Sequence, residues 1–331
     1  MLRRIRFEEW MALALAGAYG VVVTAGLVDF ALLSYFTIKG LQVLGVLVVL
    51  AAARSVWRSR RAGLAPAARA HAAASDVGGF VRDWIPWVVL VSVYENSLLL
   101  TARATNRVLD LEMFRLDEIL FRGHVDQWLQ QVTTTPLTIW VAFFYDSLYL
   151  YMVGVGGILY LLGRHAAFRR YLVSFLTAGY VGYALYFAFP VVGPYTFFDE
   201  IYVVDFEGAR DGTRAALLRL EGADDPMHVF YDVARRISGK DYSDGAIPRN
   251  CFPSLHTAWG ILILLHAFRA SRRLGAILAV PVAIMIFGTV YLRFHYAIDL
   301  VAGAMLAWFV ETVSPSLARI GAPAPPRPGD A

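Results

Sequence analysis

Cysteine is almost missing from this chain: Cys251 is its only one in 331 residues. That count excludes an intramolecular disulfide and any zinc site built from several cysteines. Beside the Pro-Ser-Leu-His run that follows it, the thiol reads as a small packing residue rather than a reactive one. Charge is scarce as well, with 17% of residues charged against 58% hydrophobic, well below the roughly 25% charged of ordinary soluble domains. No internal repeat is visible, which excludes a solenoid or an array. The formal net charge of +4 does not mark a nucleic-acid partner, because the arginines flank apolar runs instead of forming one basic patch.

What the chain does have is long apolar runs. Eight of them approach the length that crosses roughly 30 Å of hydrocarbon: 11 to 28, 38 to 57, 84 to 102, 137 to 162, 171 to 190, 255 to 268, 274 to 292 and 296 to 312. The expected fold is all-α, a polytopic membrane helix bundle of about eight transmembrane helices within a range of six to eight. Residues 1 to 320 read as one transmembrane catalytic domain with a polar loop at 191 to 252, and 321 to 331, Pro-rich, as a disordered tail. Arg3, Arg4 and Arg6 precede the first run, and Ala14-Leu15-Ala16 resembles a cleavage site. The run continues to Val28, so an uncleaved anchor is the preferred reading.

Arginines mark the ends of the spans. Clusters at 3 to 6, 54 to 69, 164 to 170 and 269 to 273 all fall on one side of an eight-span layout, which the positive-inside rule makes cytoplasmic. The segment 103 to 135 falls on the other side and carries arginines too, balanced by Asp110, Glu112, Asp117, Glu118 and Asp126. Within it, apolar residues at helical spacing (Leu109, Met113, Leu116, Leu120) suggest a helix lying in the membrane interface, which either shapes a lipid's approach or simply links spans. Residues 62 to 79 read as a linker. The 191 to 252 segment holds eleven acidic and seven basic residues and a helix start at Asp225-Pro226. A gate over a membrane-surface site and a plain spacer both remain open for it. Glu95-Asn96 and Asp146 are polar groups inside spans, read as head-group ligands or as interhelical hydrogen-bonding partners.

The chemistry concentrates near the C-terminus, where Pro253-Ser254-Leu255-His256 is followed by His295-Tyr-Ala-Ile-Asp299. Ionisable groups among membrane helices are costly and point to function. A helix through 295 to 299 would put His295 and Asp299 on one face, one turn apart. The carboxylate would then hold one ring nitrogen and leave the other free to attack. His256, at a helix start after a proline, is the candidate general acid. Ser254 and the amides of that helix start are suited to an anion, and Arg293 and Arg249 to phosphate oxygens. Together these groups suit phosphoryl transfer with no metal and no cofactor. A metal site of His256, His295 and Asp299 is chemically possible, but its spacing matches no compact ligand motif. Tyr291, Phe294 and Tyr296 read as an interfacial aromatic belt.

At these residues the chain resembles the type 2 phosphatidic acid phosphatase superfamily, and within it the branch that includes the inositol phosphorylceramide synthases. Pro253-Ser254-Leu255-His256 is similar to the second motif, with Leu where the wider superfamily has Gly, and His295 and Asp299 fall on the His and Asp of the third. Arg82-Asp83-Trp84-Ile85-Pro86 and Leu116-Asp117-Glu118-Ile119-Leu120-Phe121 also look like that branch. The resemblance implies that His295 attacks phosphorus, Asp299 orients it, and His256 protonates the leaving group. Two departures stand out: the cationic first motif is absent, with Gly193-Pro194 in its place, and Gly288-Thr289 stand where the third motif has Ser-Arg.

The expected protein is an integral membrane enzyme of the cell membrane, a lipid-phosphate phosphatase or phosphotransferase whose site faces the non-cytoplasmic side. Its partners would be a membrane lipid phosphate and, for transfer, an alcohol acceptor such as an inositol lipid or a ceramide-like molecule. The alternative is a non-enzymatic lipid-phosphate binding or transport protein on the same scaffold. The oligomeric state is not legible.

Overall fold

The computed structural model describes residues 5–25, 35–105, 107–197 and 248–321. The core of the polar loop, with Asp225-Pro226, the C-terminal tail from 322, and the side chains of Glu95 and Asn96 lie outside the described residues. Among the described residues every element is helical. In chain order these are α1 (Phe7–Thr24), α2 (Tyr35–Arg61), α3 (Pro66–Ala104), α4 (Asp110–Phe121), α5 (Val125–Gln130), α6 (Thr135–Asp146), α7 (Leu148–Leu161), α8 (His165–Ala188), the turn α9 (Pro194–Thr196), α10 (Leu255–Ala270), α11 (Arg272–Tyr291) and α12 (Ala297–Leu317).

Five helices are long and apolar enough to cross a membrane, in α2, α3, α8, α11 and α12, and the bent pair α6 with α7 makes a sixth. The protein is a polytopic helical membrane protein. The other two apolar runs fall in α1, whose first turn holds Glu8 and Glu9, and in α10, whose 16 residues reach only about 24 Å. The outer faces of the bundle suit hydrocarbon: Val49, Phe143, Ile277, Val280, Met305 and Trp308 are exposed, where water would not tolerate so much apolar surface.

Two expectations are corrected. Residues 66–79 are not a linker but the first third of α3, because alanine is the best helix former and Pro66 occupies the first helical position. The 137 to 162 run is not one straight span. It breaks at Ser147, and α6 and α7 meet at 41°. The Ser147 hydroxyl donates to the Phe143 carbonyl at 2.7 Å, back-bonding that bends helices.

α10 is the central post, packed against α7, α8, α11 and α12. Trp259 on it is 1% exposed and donates its indole N–H to the Phe175 carbonyl at 3.2 Å, which satisfies the one polar atom of a large buried ring. Around it lie Trp84, Trp87, Phe168 and Tyr171. The contact between α10 and α12 is close at Gly303, where a Cβ would stand 2.4 Å from the Ser254 carbonyl oxygen. Only glycine lets the two helix starts meet there.

The bundle therefore has two unlike ends. α8 runs about 36 Å from His165 to Ala188, while α10 and α12 run the other way, from His256 and Asp299 toward Arg269 and Glu311. One end gathers an arginine cluster, and the other holds His256, His295 and Asp299.

Candidate functional site

The histidine end is assembled at three chain breaks that meet: the start of α10, the turn from α11 to α12, and the segment 190–197 after α8. Ser254 caps α10, its hydroxyl accepting from the Thr257 amide at 3.2 Å, as an N-cap serine does. Its own amide donates to the Asp299 carbonyl at 3.1 Å. The hydroxyl expected to bind an anion is thus engaged in fixing the helix that presents His256.

His295 does not sit on the helix with Asp299. It lies in the turn 292–296, where its amide and that of Phe294 both donate to the Thr289 carbonyl at 3.0 Å. Asp299 occupies the first turn of α12 and accepts from the Tyr296 amide at 3.0 Å. The two side chains still meet: His295 Nδ1 is 3.2 Å from Asp299 Oδ2. The helical-face argument names the right partners through the wrong local structure, since a capped helix start brings i and i+4 together as a full turn does. The His256 and His295 rings meet edge-on, with centroids 6.0 Å apart and planes at 64°. Burial, the largest influence, pushes the His295 imidazole down to about 3, so the ring is neutral across the physiological range.

Several residues complete this cluster without having been read as site residues from the sequence, where Cys251 passed as a packing residue. Cys251 is buried, and its thiol lies 2.8 Å from Asp299 Oδ2, 3.1 Å from the Phe294 carbonyl and 3.4 Å from His295 Nδ1. Burial first, then the Asp299 charge, raises its pKa, so it is a neutral donor to the carboxylate. Tyr145 from α6 stacks on His256 at 4.5 Å and on Phe294 at 5.2 Å.

α4 carries two more such residues. Asp110, fully buried, accepts from the amides of Val192 at 3.0 Å and Gly193 at 2.8 Å and from the Tyr296 hydroxyl at 3.1 Å. Asp117 accepts from the amides of Ala297 and Ile298, both at 2.8 Å, and so caps α12 from another helix. The face of α4 with Ile119 and Leu120 is exposed, which fits an interfacial helix. Its buried face braces the site. Gly193, at φ 107°, lies where a Cβ would stand 2.5 Å from the Phe294 carbonyl oxygen, so the segment in the place of the first motif does press on the histidine turn.

The arginines are held further out. Arg293, at a left-handed φ of 56° and 7% exposed, pairs its Nε with Asp126 Oδ2 of α5 at 3.8 Å. The Arg249 amide donates to Thr101 Oγ1 at 3.0 Å, and its guanidinium feels the Asp110 charge. Tyr291 and Tyr296 are not a membrane belt: they are 0% and 1% exposed, and Tyr291 hydrogen-bonds Thr138 at 3.0 Å. Asp146, read as membrane-embedded, is exposed at the α6 end. The Arg82 to Pro86 string lies at the other end of the bundle, where Arg82 bonds Glu9 at 2.6 Å and Asp83 bonds Arg6 at 2.7 Å.

Among the described residues, one group could hold a metal ion: Cys251, His295 and Asp299, whose ligand atoms lie within 4.8 Å of one another. The set weighed from sequence as chemically possible, and not preferred, has His256 in place of Cys251.

A buried carboxylate beside one imidazole, with a second imidazole near it and helix starts converging on both, is the kind of buried polar cluster that marks a functional site in a helical membrane protein. Comparison with known families gives its class. The profile of the PAP2 superfamily matches residues 111–312, from α4 through most of α12, and the chain belongs to that superfamily, whose members are typically phosphatases. No curated protein and no solved structure matches it significantly.

Proposed function

We propose that the protein is a membrane lipid-phosphate phosphatase or phosphotransferase that works through a phosphohistidine on His295. The observation that carries this reading is the His295–Asp299 pair at 3.2 Å with the His256 ring 6.0 Å away. An ionised Asp299 accepts a proton-bearing Nδ1, which leaves the Nε2 lone pair for phosphorus. As the N–P bond forms, the P–O bond to the leaving group breaks, and His256 gives its proton to that oxygen. In the second half, water or an alcohol loses its proton to His256 and attacks phosphorus, and the N–P bond breaks. Asp299 stabilises the positive charge on the ring in between. Arg293 and Arg249 are the proposed phosphate ligands, with Arg293 leaning away from Asp126 to reach the substrate, while Ser254, engaged as the cap of α10, holds in place the helix start whose first amides complete the anion pocket. No step calls for a metal.

The substrate class is a phosphate-containing lipid head group. Leu255 within the second motif and the Leu116 to Phe121 string favour the inositol phosphorylceramide synthase-like branch, hence transfer to an inositol lipid or ceramide-like alcohol, while the superfamily's commonest chemistry favours water. The positive-inside pattern of the arginine end supports a site on the non-cytoplasmic side of the cell membrane.

The test is to incubate the purified protein and His295→Ala with head-group-labelled lipid phosphates, with and without inositol or ceramide, and to follow free phosphate and new lipids. Free phosphate from the unmodified protein alone identifies a phosphatase, and a new labelled lipid identifies a transferase. Substrate binding without turnover in both proteins would replace this reading with a lipid-phosphate carrier. Activity lost to chelators and restored by zinc or magnesium would bring in the Cys251–His295–Asp299 cluster as a metal centre.

A further inference from the structure

The arginine end contains a cavity of about 310 Å³ between α7, α8 and α10, lined by Leu159, Arg164, Ala167, Arg170, His266 and Arg269 among others. It opens far from His256 and His295, since Arg170 stands 18 residues before the end of α8, or about 27 Å. Behind it Glu311 of α12 bonds Arg170, accepts from Arg269 at 2.5 Å and lies 3.4 Å from His266 Nε2. Arg164 is engaged by a neutral partner, the Ala270 carbonyl, at 2.7 Å.

The charges do not balance. Three guanidinium groups line the cavity and one carboxylate stands behind it, bonding Arg170 and Arg269, so with His266 neutral the formal charges of this group sum to +2. The Arg170 Nε is buried with no hydrogen-bond partner among those residues. A guanidinium N–H left so is costly unless an anion supplies the oxygen. Basic pockets between membrane helices on the arginine-rich side are suited to anionic head groups, and planar guanidinium groups match phosphate oxygens.

We propose that this cavity is a second anion site, separate from the catalytic one, that takes a phosphate group. A lipid phosphate entering from the surrounding leaflet and a free phosphate share this chemistry. In either case Arg164, Arg170 and Arg269 hold the phosphate oxygens, and Glu311 competes with the ligand for the same guanidinium groups.

Native mass spectrometry of the full-length protein tests this, with three probes: a phosphonate analogue of phosphatidic acid, phosphatidylcholine, and inorganic phosphate. The proteins compared are the unmodified chain, the double variant Arg164→Gln with Arg269→Gln, and Glu311→Gln, all with an intact catalytic site as common background. The anionic lipid is expected to bind the double variant about tenfold or more weakly and Glu311→Gln more tightly, because a competing negative charge has gone. Phosphatidylcholine is expected to show no such order. If only inorganic phosphate follows that order, the site stands and its ligand is the free anion. Equal affinities of all three proteins for both anions would overturn the proposal, as would weaker anion binding in Glu311→Gln. If the double variant does not purify, Arg164→Gln alone carries the comparison, since it gives up only a carbonyl partner.

Discussion

Apart from Asp126, which pairs with Arg293, the two ends of this bundle handle their carboxylates in opposite ways. At the arginine end Glu8 is 1% exposed at its side chain and is clasped by Arg169 at 2.7 Å, and Glu9 and Glu311 each take arginine partners. At the histidine end Asp110, Asp117 and Asp299 take backbone amides, a tyrosine hydroxyl, a thiol and an imidazole. Guanidinium pairs neutralise charge and tie helices that already exist. Amide-accepting carboxylates instead dictate backbone course, since each oxygen fixes where a specific N–H must point. The first arrangement holds the bundle shut, and the second shapes loops into a site.

The comparison is broken hardest at the proposed reacting pair, His295 and Asp299. Asp299→Asn is expected to keep the fold and to lower turnover by about 10⁴-fold, because an amide favours the wrong imidazole tautomer. Steady-state kinetics against circular dichroism checks it, and near-normal turnover would remove Asp299 from the mechanism. Next comes Arg169→Gln at the other end, which takes from buried Glu8 its two-pronged partner and leaves it Arg6 at 3.3 Å. It is expected to cost about 1–3 kcal/mol of stability while leaving the turnover of the folded fraction near normal, as read by thermal unfolding beside an activity assay.

Asp117→Ala sharpens the contrast from the catalytic side. It leaves two buried amides at the start of α12 without their acceptor, at about 1–3 kcal/mol each, and shifts the turn that carries His295. A displacement near 1 Å there is expected to cost about 10²-fold in turnover. A variant that melts early yet turns over normally per folded molecule would make Asp117 a structural cap only.

The pH response should differ as well. Burial raises Asp110 to about 7 and Asp117 to about 6 from the ordinary 3.8, so the folded chain holds protons that the unfolded chain releases. Their contribution to stability is fully present below the unfolded value near 3.8 and is lost as pH rises through about 6 to 7. The apparent Tm is therefore expected to fall between about pH 4 and pH 7, and Asp110→Asn to flatten the upper part of that fall. Glu9, lowered to about 2 after its arginine hydrogen bonds outweigh burial, titrates outside this window. The smallest effect is expected at the exposed Arg58–Asp76 pair, 3.1 Å apart with 57% and 45% side-chain exposure. Arg58→Gln should change stability by less than about 0.5 kcal/mol, and a larger loss by thermal unfolding would show that even solvated pairs matter at the arginine end.

Much of the scaffold is legible in the sequence. Apolar runs announce membrane helices because the hydrocarbon thickness sets their length, and each of the eight runs overlaps a helix. Boundaries are less so. Residues 62 to 79 lack apolar periodicity and therefore read as linker, yet Pro66 and the alanines that follow it are a local helix signal that an amphipathic criterion overlooks. His256, His295 and Asp299 stand out because ionisable residues are rare among such runs. Asp110 and Asp117 do not, since their partners are 186 and 180 residues away and an acidic residue on an amphipathic helix ordinarily faces water.

What the sequence determined by itself is a helical membrane chain with a His, His and Asp set at one end, because composition and short spacing are local properties. Only the tertiary structure decided that Cys251 and Tyr145 join that set, that Ser254 serves as a cap, that Arg293 is drawn to Asp126 and that Asp117 caps α12. Those outcomes depend on which buried polar groups meet across the bundle, and a buried donor or acceptor takes whatever partner the packing brings within about 3 Å.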